Sequence, residues 1–437
     1  MQKISAATAT AVGLGAIIGA GIFVLSGTAI ALAGPYALLA FALVGIVVFI
    51  VALELGELAS IMPNAKGASY SYVYKAFGSE MGFMTGMMMY FSYASSISVI
   101  ALGFGSYLAN ILGVQSAAYA IPFAMLLIAG ISGINALGIR KAARADLFLV
   151  LIKIAILLIF IGFAFALVMR SGGFSFVNFQ ASPVQLGIAQ LFAASIAIIF
   201  AYSGFQNIAT FTSRVEGGPR NAARAIIYAV LISIVLYVLV VIALMALAPA
   251  SSFKIGGDPL AFALNSAHAP AWLLVLTDIG ALLATASASL AMMLGSSRLL
   301  YQISSDGLLP RILRKYDAKR DVAVRGIAVS AVIGGAMLFA GNIYVIAAIS
   351  NFGLLFSYLM RGFAVVHFRR QRVFAGFKVP VYPYLTMIAI IGIVAFMAGM
   401  PHEALVFGVV LLIAFLSVYY MLREVEDKKV IRVRLFK

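Results

Sequence analysis

Long apolar stretches, each bounded by charged residues, glycine or proline, alternate with short polar connections along the whole chain. An α-helix needs about 20 predominantly apolar residues to cross the hydrocarbon core of a bilayer, and the stretches are of this order. The pattern therefore predicts an all-α polytopic membrane protein with twelve transmembrane helices. The predicted spans lie near residues 6–33, 36–61, 79–109, 117–136, 145–169, 186–212, 223–248, 271–302, 324–340, 342–366, 381–400 and 402–422. Only a tight turn at Gly341 and Asn342 separates spans nine and ten.

The first and sixth spans contain residues that disfavour a continuous helix. Span one carries Gly13, Gly15, Gly19 and Gly21, and span six carries Ser203 and Gly204 followed by the polar Gln206 and Asn207. A glycine in a helix interior costs about 1 kcal/mol relative to alanine, so these positions weaken both helices. For span one alone, close helix packing through the pair Gly15 and Gly19 explains the glycines equally well.

The spacing of the two interruptions favours an internal repeat. Gly19 and Gly204 are 185 residues apart, and each lies in the first span of a block of five. Because five is odd, the second block is inverted relative to the first, and interrupted helices at matching positions of inverted halves indicate a transporter binding site. We expect a single domain over residues 1–437, with repeat one at about 6–169, repeat two at about 186–366, two additional helices at 381–422 and a cytoplasmic tail at 423–437.

Composition supports a membrane protein and excludes several kinds of site. Of the 437 residues, 64% are hydrophobic and 10% are charged, and the mean hydropathy is +1.10. Soluble domains average roughly 45–50% apolar and about 25% charged residues, so soluble and disordered classes are excluded. The long apolar runs exclude an outer-membrane barrel, and the absence of cysteine excludes disulfides and thiolate sites. No signal peptide is expected, because the first run continues to Ala33 without a convincing cleavage site.

The net charge of +16 reflects an uneven distribution of lysine and arginine about the predicted spans. On one side lie only Arg170 and Lys254, whereas 25 basic residues lie on the other. Those 25 are Lys3, Lys66, Lys75, Arg140, Lys141, Arg144, Arg214, Arg220, Arg224, Arg311, Arg314, Lys315, Lys319, Arg320, Arg325, Arg369, Arg370, Arg372, Lys378, Arg423, Lys428, Lys429, Arg432, Arg434 and Lys437. Basic loops stay in the cytoplasm, so both termini are predicted to be cytoplasmic, which requires an even number of spans. The charge therefore needs no nucleic acid partner.

Four groups of motifs follow one another between residues 15 and 310. They are Gly15–Phe23 (GAIIGAGIF); Glu57–Pro63 (ELASIMP) with Gly67–Tyr72 (GASYSY) and Phe77-Gly78; Phe200–Phe205 (FAYSGF) with Glu216, Arg220 and Arg224; and Arg298–Tyr301 (RLLY) with Asp306–Pro310 (DGLLP). In this order and spacing they resemble the amino acid–polyamine–organocation family, in particular its proton-coupled amino acid transporter branch. The resemblance implies a LeuT-type fold, a five-plus-five inverted repeat with broken helices one and six.

The chain departs from the family pattern at two places. Gln206 follows the Gly-Phe pair of span six, where members often have an acidic residue, which puts a direct carboxylate contact to a cationic substrate in doubt. Gly218-Pro219 replaces the usual Asn-Pro pair, and Ala223 replaces a proline. We expect the second departure to affect only a cytoplasmic loop.

The resemblance also implies which groups bind a zwitterionic amino acid. Amides at the start of the second half of span one would meet the carboxylate, aided by the helix dipole, and carbonyls at the ends of the first half-helices would meet the ammonium. Glycine permits close approach of substrate to backbone. The implied substrate-binding residues are Ile17, Ile18, Gly19, Ala20, Gly21, Ile22, Phe200, Ala201, Ser203 and Gly204. Ser96 in span three is a further candidate for the lining of the pocket.

Lys153 lies inside span five, seven residues beyond Asp146 and thus about 10 Å from the cytoplasmic boundary. A basic residue within a span is expensive and usually faces the bundle interior or a cavity. Some family members carry a lysine in helix five where sodium-coupled relatives bind an ion. The resemblance places Lys153 there as the proton-coupling residue, near Gly15 and Ser287. The alternative is an interfacial anchor whose amine extends to the membrane surface.

Other charged residues are weaker candidates for function. We consider Glu54 as a gate or relay and expect Glu57 to pair with a base in a loop. Asp278 is expected at the outer interface, and Arg298 and Asp306 are expected to form contacts at cytoplasmic helix ends.

These features favour a secondary active transporter that moves amino acids across the cell membrane by alternating access, coupled to protons through Lys153. An exchanger without net proton coupling is the alternative within this class. No cofactor, metal or sodium ion is expected, and the expected partners are the amino acid substrate and membrane lipids. The oligomeric state is expected to be a monomer or a homodimer.

Other functional classes lack the features that they require. A membrane-embedded enzyme needs a nucleophile–base pair or a metal cluster, and His268, His367 and His402 are scattered along the chain. A receptor or sensor needs a signalling domain, for which the loops are too short. A channel needs a continuous pore, whereas broken helices favour an occluded site.

The predicted orientation can be tested with protease. An epitope tag at either terminus should be protected in intact cells, whereas a tag inserted near Ser251–Gly257 should be cleaved, because the first two positions are cytoplasmic and the third is external. Immunoblotting before and after protease treatment measures both. Cleavage of the terminal tags with protection of the internal tag would contradict the predicted topology.

Overall fold

The computed structural model of the protein describes residues 3–65, 67, 69–138, 142–170 and 187–435. In that part of the chain the regular elements are all helical, as the sequence predicts. The α-helices are α1 (Ala6–Ile17), α2 (Ala20–Ala33), α3 (Ala37–Ile61), α4 (Ser69–Phe77), α5 (Ser79–Ile111), α6 (Ser116–Leu137), α7 (Ala142–Arg170), α8 (Ile188–Ala201), α9 (Pro219–Leu247), α10 (Pro259–Ser266), α11 (Ala271–Ser305), α12 (Val324–Met337), α13 (Ile343–Arg370), α14 (Tyr384–Ala398) and α15 (His402–Leu435). Lys66, Arg140, Lys141 and Lys437, which enter the predicted charge asymmetry, lie outside the described residues.

Eight helical segments in the described ranges are long and apolar enough to cross a membrane, which confirms a polytopic membrane protein. One of the eight runs over Gly21–Ile61 and combines α2 with α3. Four further apolar helices, α1, α8, α12 and α14, have 12 to 15 residues. Two of the short helices arise because spans one and six are divided, and the exact count of twelve stays a prediction.

Proline fixes the start of two helices that hydropathy misplaced or missed. Pro219 occupies the beginning of α9, so this helix starts before the predicted boundary at residue 223. Pro259 begins α10, a short helix in the connection to α11 that the apolar pattern did not predict. Proline suits the first helical turn because its missing N–H is not needed there and its φ is already helical.

The helices pack around α5. Of the 18-residue apolar window of this helix, 89% is buried. This helix contacts α11, α13 and α6 extensively, while α3 and α1 pack on α9, and α2 packs on α8. The apolar window of α15 is only 11% buried. Large apolar side chains such as Leu126, Ile188 and Val332 are also exposed on the outer surface, as expected for a surface that faces lipid.

Both spans with a predicted interruption are broken. In span one, α1 ends at Ile17 and α2 begins at Ala20. In span six, α8 ends at Ala201 and a 3₁₀ segment covers Phe205–Arg214. The residues directly before α1 are also bonded to the far end of this segment, because the amide of Ile4 donates to the carbonyl of Arg214 at 2.9 Å. The segmented helices therefore contact each other at their ends as well as at their breaks.

An ion pair joins α3 to the last turn of α13. Arg369 Nη2 lies 2.7 Å from Oε2 of Glu57, and Arg369 Nε lies 2.5 Å from Oε1. The amide of Val379 donates a third hydrogen bond to the same carboxylate at 2.6 Å. Glu57 thus has the structural role that we expected, although its basic partner belongs to a helix and not to a loop.

Removing this carboxylate should destabilise the protein. Glu57 is 1% exposed and Arg369 is 20% exposed at the side chain, so Glu57→Gln leaves a mostly buried guanidinium without its counter-charge, at a cost of about 3 kcal/mol. Thermal unfolding of purified protein in detergent measures the loss. Asp317→Asn is the matched control, because its pair with Arg320 is solvated and should contribute little. Equal midpoints for the two variants would contradict the role assigned to Glu57.

Candidate functional site

The two helix breaks lie directly against each other in the interior. A side chain at Gly204 would clash with the carbonyl oxygen of Ala16, and Gly204 has a φ of +113° that favours glycine. A side chain at Gly21 would clash with the Cα of Ala201. Glycine at both positions therefore allows the end of α1 to meet the break in span six, and α2 to meet the end of α8. The structure brings together in this way the predicted residues of spans one and six.

Tyr237 on α9 connects the two breaks. Its hydroxyl lies 2.8 Å from the carbonyl oxygen of Ile17 and 3.1 Å from that of Ala201. A hydroxyl has a single proton, so it can donate to only one of these carbonyls at a time. The carbonyl of Ile17 also accepts from the amide of Gly19 at 2.7 Å, which occupies its second lone pair. The carbonyl of Ala201 keeps a second lone pair, which leaves acceptor capacity at one of the positions predicted to receive the substrate ammonium.

Sequence reasoning missed Tyr237, because a tyrosine in an apolar span usually serves packing. Packing is part of its role here, since its ring centroid lies 5.0 Å from that of Tyr202 and 6.4 Å from that of Phe41. The hydroxyl has a separate role that depends on two distant backbone carbonyls. Nothing in the local sequence indicates that role.

Some of the other backbone groups at the breaks already form hydrogen bonds within the protein, and others are available to a substrate. The carbonyl of Phe200 accepts hydrogen bonds from the amide and hydroxyl of Ser203, at 3.1 and 2.7 Å. The amide of Ile18 donates to Leu14 at 2.6 Å, and that of Gly19 donates to Ile17 at 2.7 Å. The first turn of α2 differs, because amides at the start of a helix have no intrahelical acceptor. Those amides belong to Ala20, Gly21 and Ile22.

Gln206 stabilises the break in span six as a neutral group. Its side-chain oxygen accepts a hydrogen bond from the amide of Gly204 at 3.2 Å. Its side-chain nitrogen is buried and has no hydrogen-bond partner in the described part of the protein. An amide therefore replaces the family's frequent carboxylate, and it adds no net charge beside the break.

Lys153 is buried between α1 and α11. On α7, Val150 occupies the space that a side chain at Gly15 would need, and Ile156 lies against Gly280 of α11. Lys153 lies between these two contacts and is 1% exposed. Lys153 therefore lies on the segment of α7 that packs on α1 and α11, its contact with Ser287 stays a prediction, and its burial argues against an interfacial anchor.

The two predicted serines have different surroundings. Ser287 donates to the carbonyl of Ala284 at 3.1 Å, and the next residue, Ala288, is the nearest neighbour of a side chain placed at Gly19. Ser287 therefore lies on the part of α11 that reaches the break. Ser96 instead bonds to Ser350 at 2.9 Å and links α5 to α13.

Three of the weaker candidates have clear partners. Asp278 is buried within the protein and accepts a hydrogen bond from Asn110 at 2.8 Å, and its place at the outer interface stays a prediction. Arg298 forms an exposed ion pair with Asp321 at 3.1 Å. Asp306 accepts a hydrogen bond from the hydroxyl of Tyr70 at 2.7 Å, which is a helix-end contact of the expected kind.

Arg361 is a further buried charge that sequence reasoning overlooked. It lies within α13 and is fully buried, and its guanidinium lies over the ring of Tyr358. The signal was present, because an arginine inside an apolar span is as unusual as Lys153. Glu54 on α3, considered as a gate or relay, is also fully buried.

Comparisons with known proteins agree with this architecture. The family model described as amino acid permease matches residues 4–422. The methylthioribose transporter of Bacillus subtilis (strain 168) is 28% identical over 407 residues, which cover 89% of this chain and 86% of the relative. The branched-chain amino acid permease BcaP of Lactococcus lactis subsp. cremoris (strain MG1363) is 28% identical over 443 residues, which cover 96% of this chain and 94% of the relative.

A more distant kind of relative occurs in plants. The vacuolar cationic amino acid transporter 2 of Arabidopsis thaliana is 27% identical, with 82% of this chain and 58% of the relative covered. The names of these relatives differ in their substrates, whereas the family match extends over nearly the whole chain. Together with the helical architecture and the paired breaks, that match shows that the protein belongs to the amino acid permease family, among the amino acid–polyamine–organocation transporters that its motifs resemble.

Proposed function

We propose that the protein is a secondary active transporter that carries amino acids across the cell membrane by alternating access. The observation that carries the proposal is the direct contact between the two breaks, which places amides of α2 beside carbonyls of α1 and α8. We further propose twelve spans in a five-plus-five inverted repeat with both termini in the cytoplasm. The last two spans lie outside the repeat.

In the proposed site, backbone groups bind both ends of a zwitterionic amino acid. The amides of Ala20, Gly21 and Ile22 receive the carboxylate at the positive end of the α2 dipole. The carbonyl of Ala201, which Tyr237 links to that of Ile17, receives the ammonium. These contacts replace hydration without adding net charge, and the neutral Gln206 favours a substrate with an uncharged side chain.

Proton coupling is assigned to Lys153. Protonated, its amine would take the place of a sodium ion between α1 and α11 and hold the bundle in one conformation. Deprotonated, it would release those contacts and favour the other conformation, so that one proton biases a two-state element. Its burial between Gly15 and α11 supports this assignment.

The coupling prediction is tested in proteoliposomes. Lys153→Ala should retain substrate binding but lose the acceleration of uptake by an inward proton gradient, because the group that carries the proton is gone. Radiolabelled amino acids, supplied with and without the gradient, measure uptake. Lys254→Ala, at an exposed residue, is the matched control and should behave as the unmodified protein does. A sodium gradient should have no effect in any of these proteins.

Two results would contradict the coupling proposal in different ways. Concentrative uptake by Lys153→Ala, driven only by protons, would assign the proton to another residue. Uptake that requires an amino acid on the opposite side, with no response to pH in the unmodified protein, would show an exchanger.

A double variant can distinguish a role of Gly19 in substrate binding from a role in helix packing. A Cβ at this position would lie 2.9 Å from the Cβ of Ala288 and touches little else, unlike a side chain at Gly21 or Gly204, which meets backbone. Gly19→Ala should therefore fold with a modest loss of stability, which the additional change Ala288→Gly should restore. Substrate affinity should stay low in the double variant, because the added methyl group still lies beside the break, 3.9 Å from the carbonyl oxygen of Ile17.

Equilibrium binding and thermal unfolding of the single and double variants provide the test. Stability restored without affinity supports a binding role for Gly19. If Ala288→Gly restores both properties, the glycine serves helix packing alone.

A further inference from the structure

Glu54 on α3 and Arg361 on α13 form an unusual pair of fully buried opposite charges. Both carboxylate oxygens of Glu54 and all three guanidinium nitrogens of Arg361 lack a hydrogen-bond partner in the described part of the protein. A Cβ atom placed on Gly362, the residue that follows Arg361, would lie 3.5 Å from Oε1 of Glu54. The carboxylate thus reaches the backbone of α13 beside the arginine but forms no ion pair with it.

Arg361 instead contacts aromatic rings. The carbon Cζ of its guanidinium lies 4.2 Å from the ring centroid of Tyr358 and 5.8 Å from that of Phe205. Phe205 is the first residue after the break in span six, and its ring packs on Tyr358 at 5.8 Å. The position of the guanidinium therefore depends on a segment that begins directly at the candidate substrate site.

Among the residues that the structure describes, the groups around Glu54 and Arg361 supply no other counter-charge. Tyr72, Tyr93 and Gln206 face Arg361 or its aromatic neighbours with neutral groups. The hydroxyl of Thr386 on α14 approaches Glu54 without completing a hydrogen bond. Glu57 is the other acidic residue near Glu54, and Arg369 already pairs with it.

Such an arrangement is costly in one fixed structure. An ionised side chain in a low-dielectric interior requires a partner, and aromatic faces compensate a guanidinium only in part. The planar guanidinium matches a carboxylate with two parallel hydrogen bonds, so a movement that brings the two side chains together would create a strong contact. A buried acid and a buried base that both lack hydrogen-bond partners fit a contact made in another conformation.

We propose that Arg361 exchanges partners during the transport cycle. In the present conformation its guanidinium lies on Tyr358 and Phe205, and when the 3₁₀ segment moves away from α13 to open the cytoplasmic side, it pairs with Glu54. The exchange couples the break in span six to the interface between α3 and α13. It rests on the proposed alternating access, but it involves neither Lys153 nor the substrate-binding backbone.

The proposal predicts opposite effects for two mild substitutions. Glu54→Gln removes the ion pair of the cytoplasm-open state and should lower its population, whereas Phe205→Leu removes an aromatic contact of the present state and should raise it. The chain has no cysteine, so Ala288→Cys, which faces Gly19, provides a single reporter at the break. A membrane-impermeant thiol reagent is applied to either face of reconstituted vesicles, and the ratio of inside to outside labelling rates reports the conformation.

We expect Glu54→Gln to lower this ratio and Phe205→Leu to raise it, each by about fivefold or more. Thr386→Val is the matched control near Glu54 and should leave the ratio unchanged, because its hydroxyl makes no bond there. In an Arg361→Gln background both effects should vanish, since the residue that exchanges partners is absent. If the Arg361→Gln protein does not fold, the opposite changes in the labelling ratio for Glu54→Gln and Phe205→Leu still test the proposal.

Shifts in the same direction, or a ratio that matches the Thr386→Val control in both variants, would overturn the partner exchange. Persistence of both effects without Arg361 would overturn it as well. A reporter that is labelled from one face only, in every variant, would overturn alternating access itself. Failure of the proposed transport function is therefore distinguishable from failure of this inference.

Discussion

Backbone amides and carbonyls inside a membrane must find partners within the protein, and this constraint determines the centre of the structure. A continuous helix meets it automatically, whereas each break leaves polar groups that need another solution. Here the two breaks meet each other, which glycine at 21 and 204 makes sterically possible, and the hydroxyl of Tyr237 connects one carbonyl from each. The groups that remain available, the first amides of α2 and the carbonyl of Ala201, are those that we propose bind the two ends of an amino acid.

Buried ionisable side chains also need partners within the protein, and the structure provides them differently at different positions. Glu57 and Arg369 form a closed pair with two short hydrogen bonds and therefore act as a fixed joint between α3 and α13. One turn away along α3, Glu54 lies beside α13 without closing such a pair with Arg361. The first arrangement suits a structural link. The second suits an element that changes partner when the helices move.

The apolar pattern predicted the helices well, because hydrophobic length dictates which segments can span a bilayer. It also located both breaks, since glycine acts locally on helix stability. It placed the start of α9 too late, because Pro219 and not hydropathy begins that helix. Tyr237 and the contact of Glu54 with α13 could not be predicted, since both depend on residues distant in sequence, whereas Arg361 was overlooked although its charge within a span is a visible signal.

The central claim is that the two breaks together form the amino acid site, and substrate protection tests it most directly. Ala288→Cys places a thiol opposite Gly19 in a chain with no other cysteine. Its rate of modification is measured with and without saturating amounts of each amino acid that the vesicles take up. The account predicts that a transported amino acid slows modification, because it occupies the space between α2 and α11. Unchanged rates with every transported amino acid would contradict it.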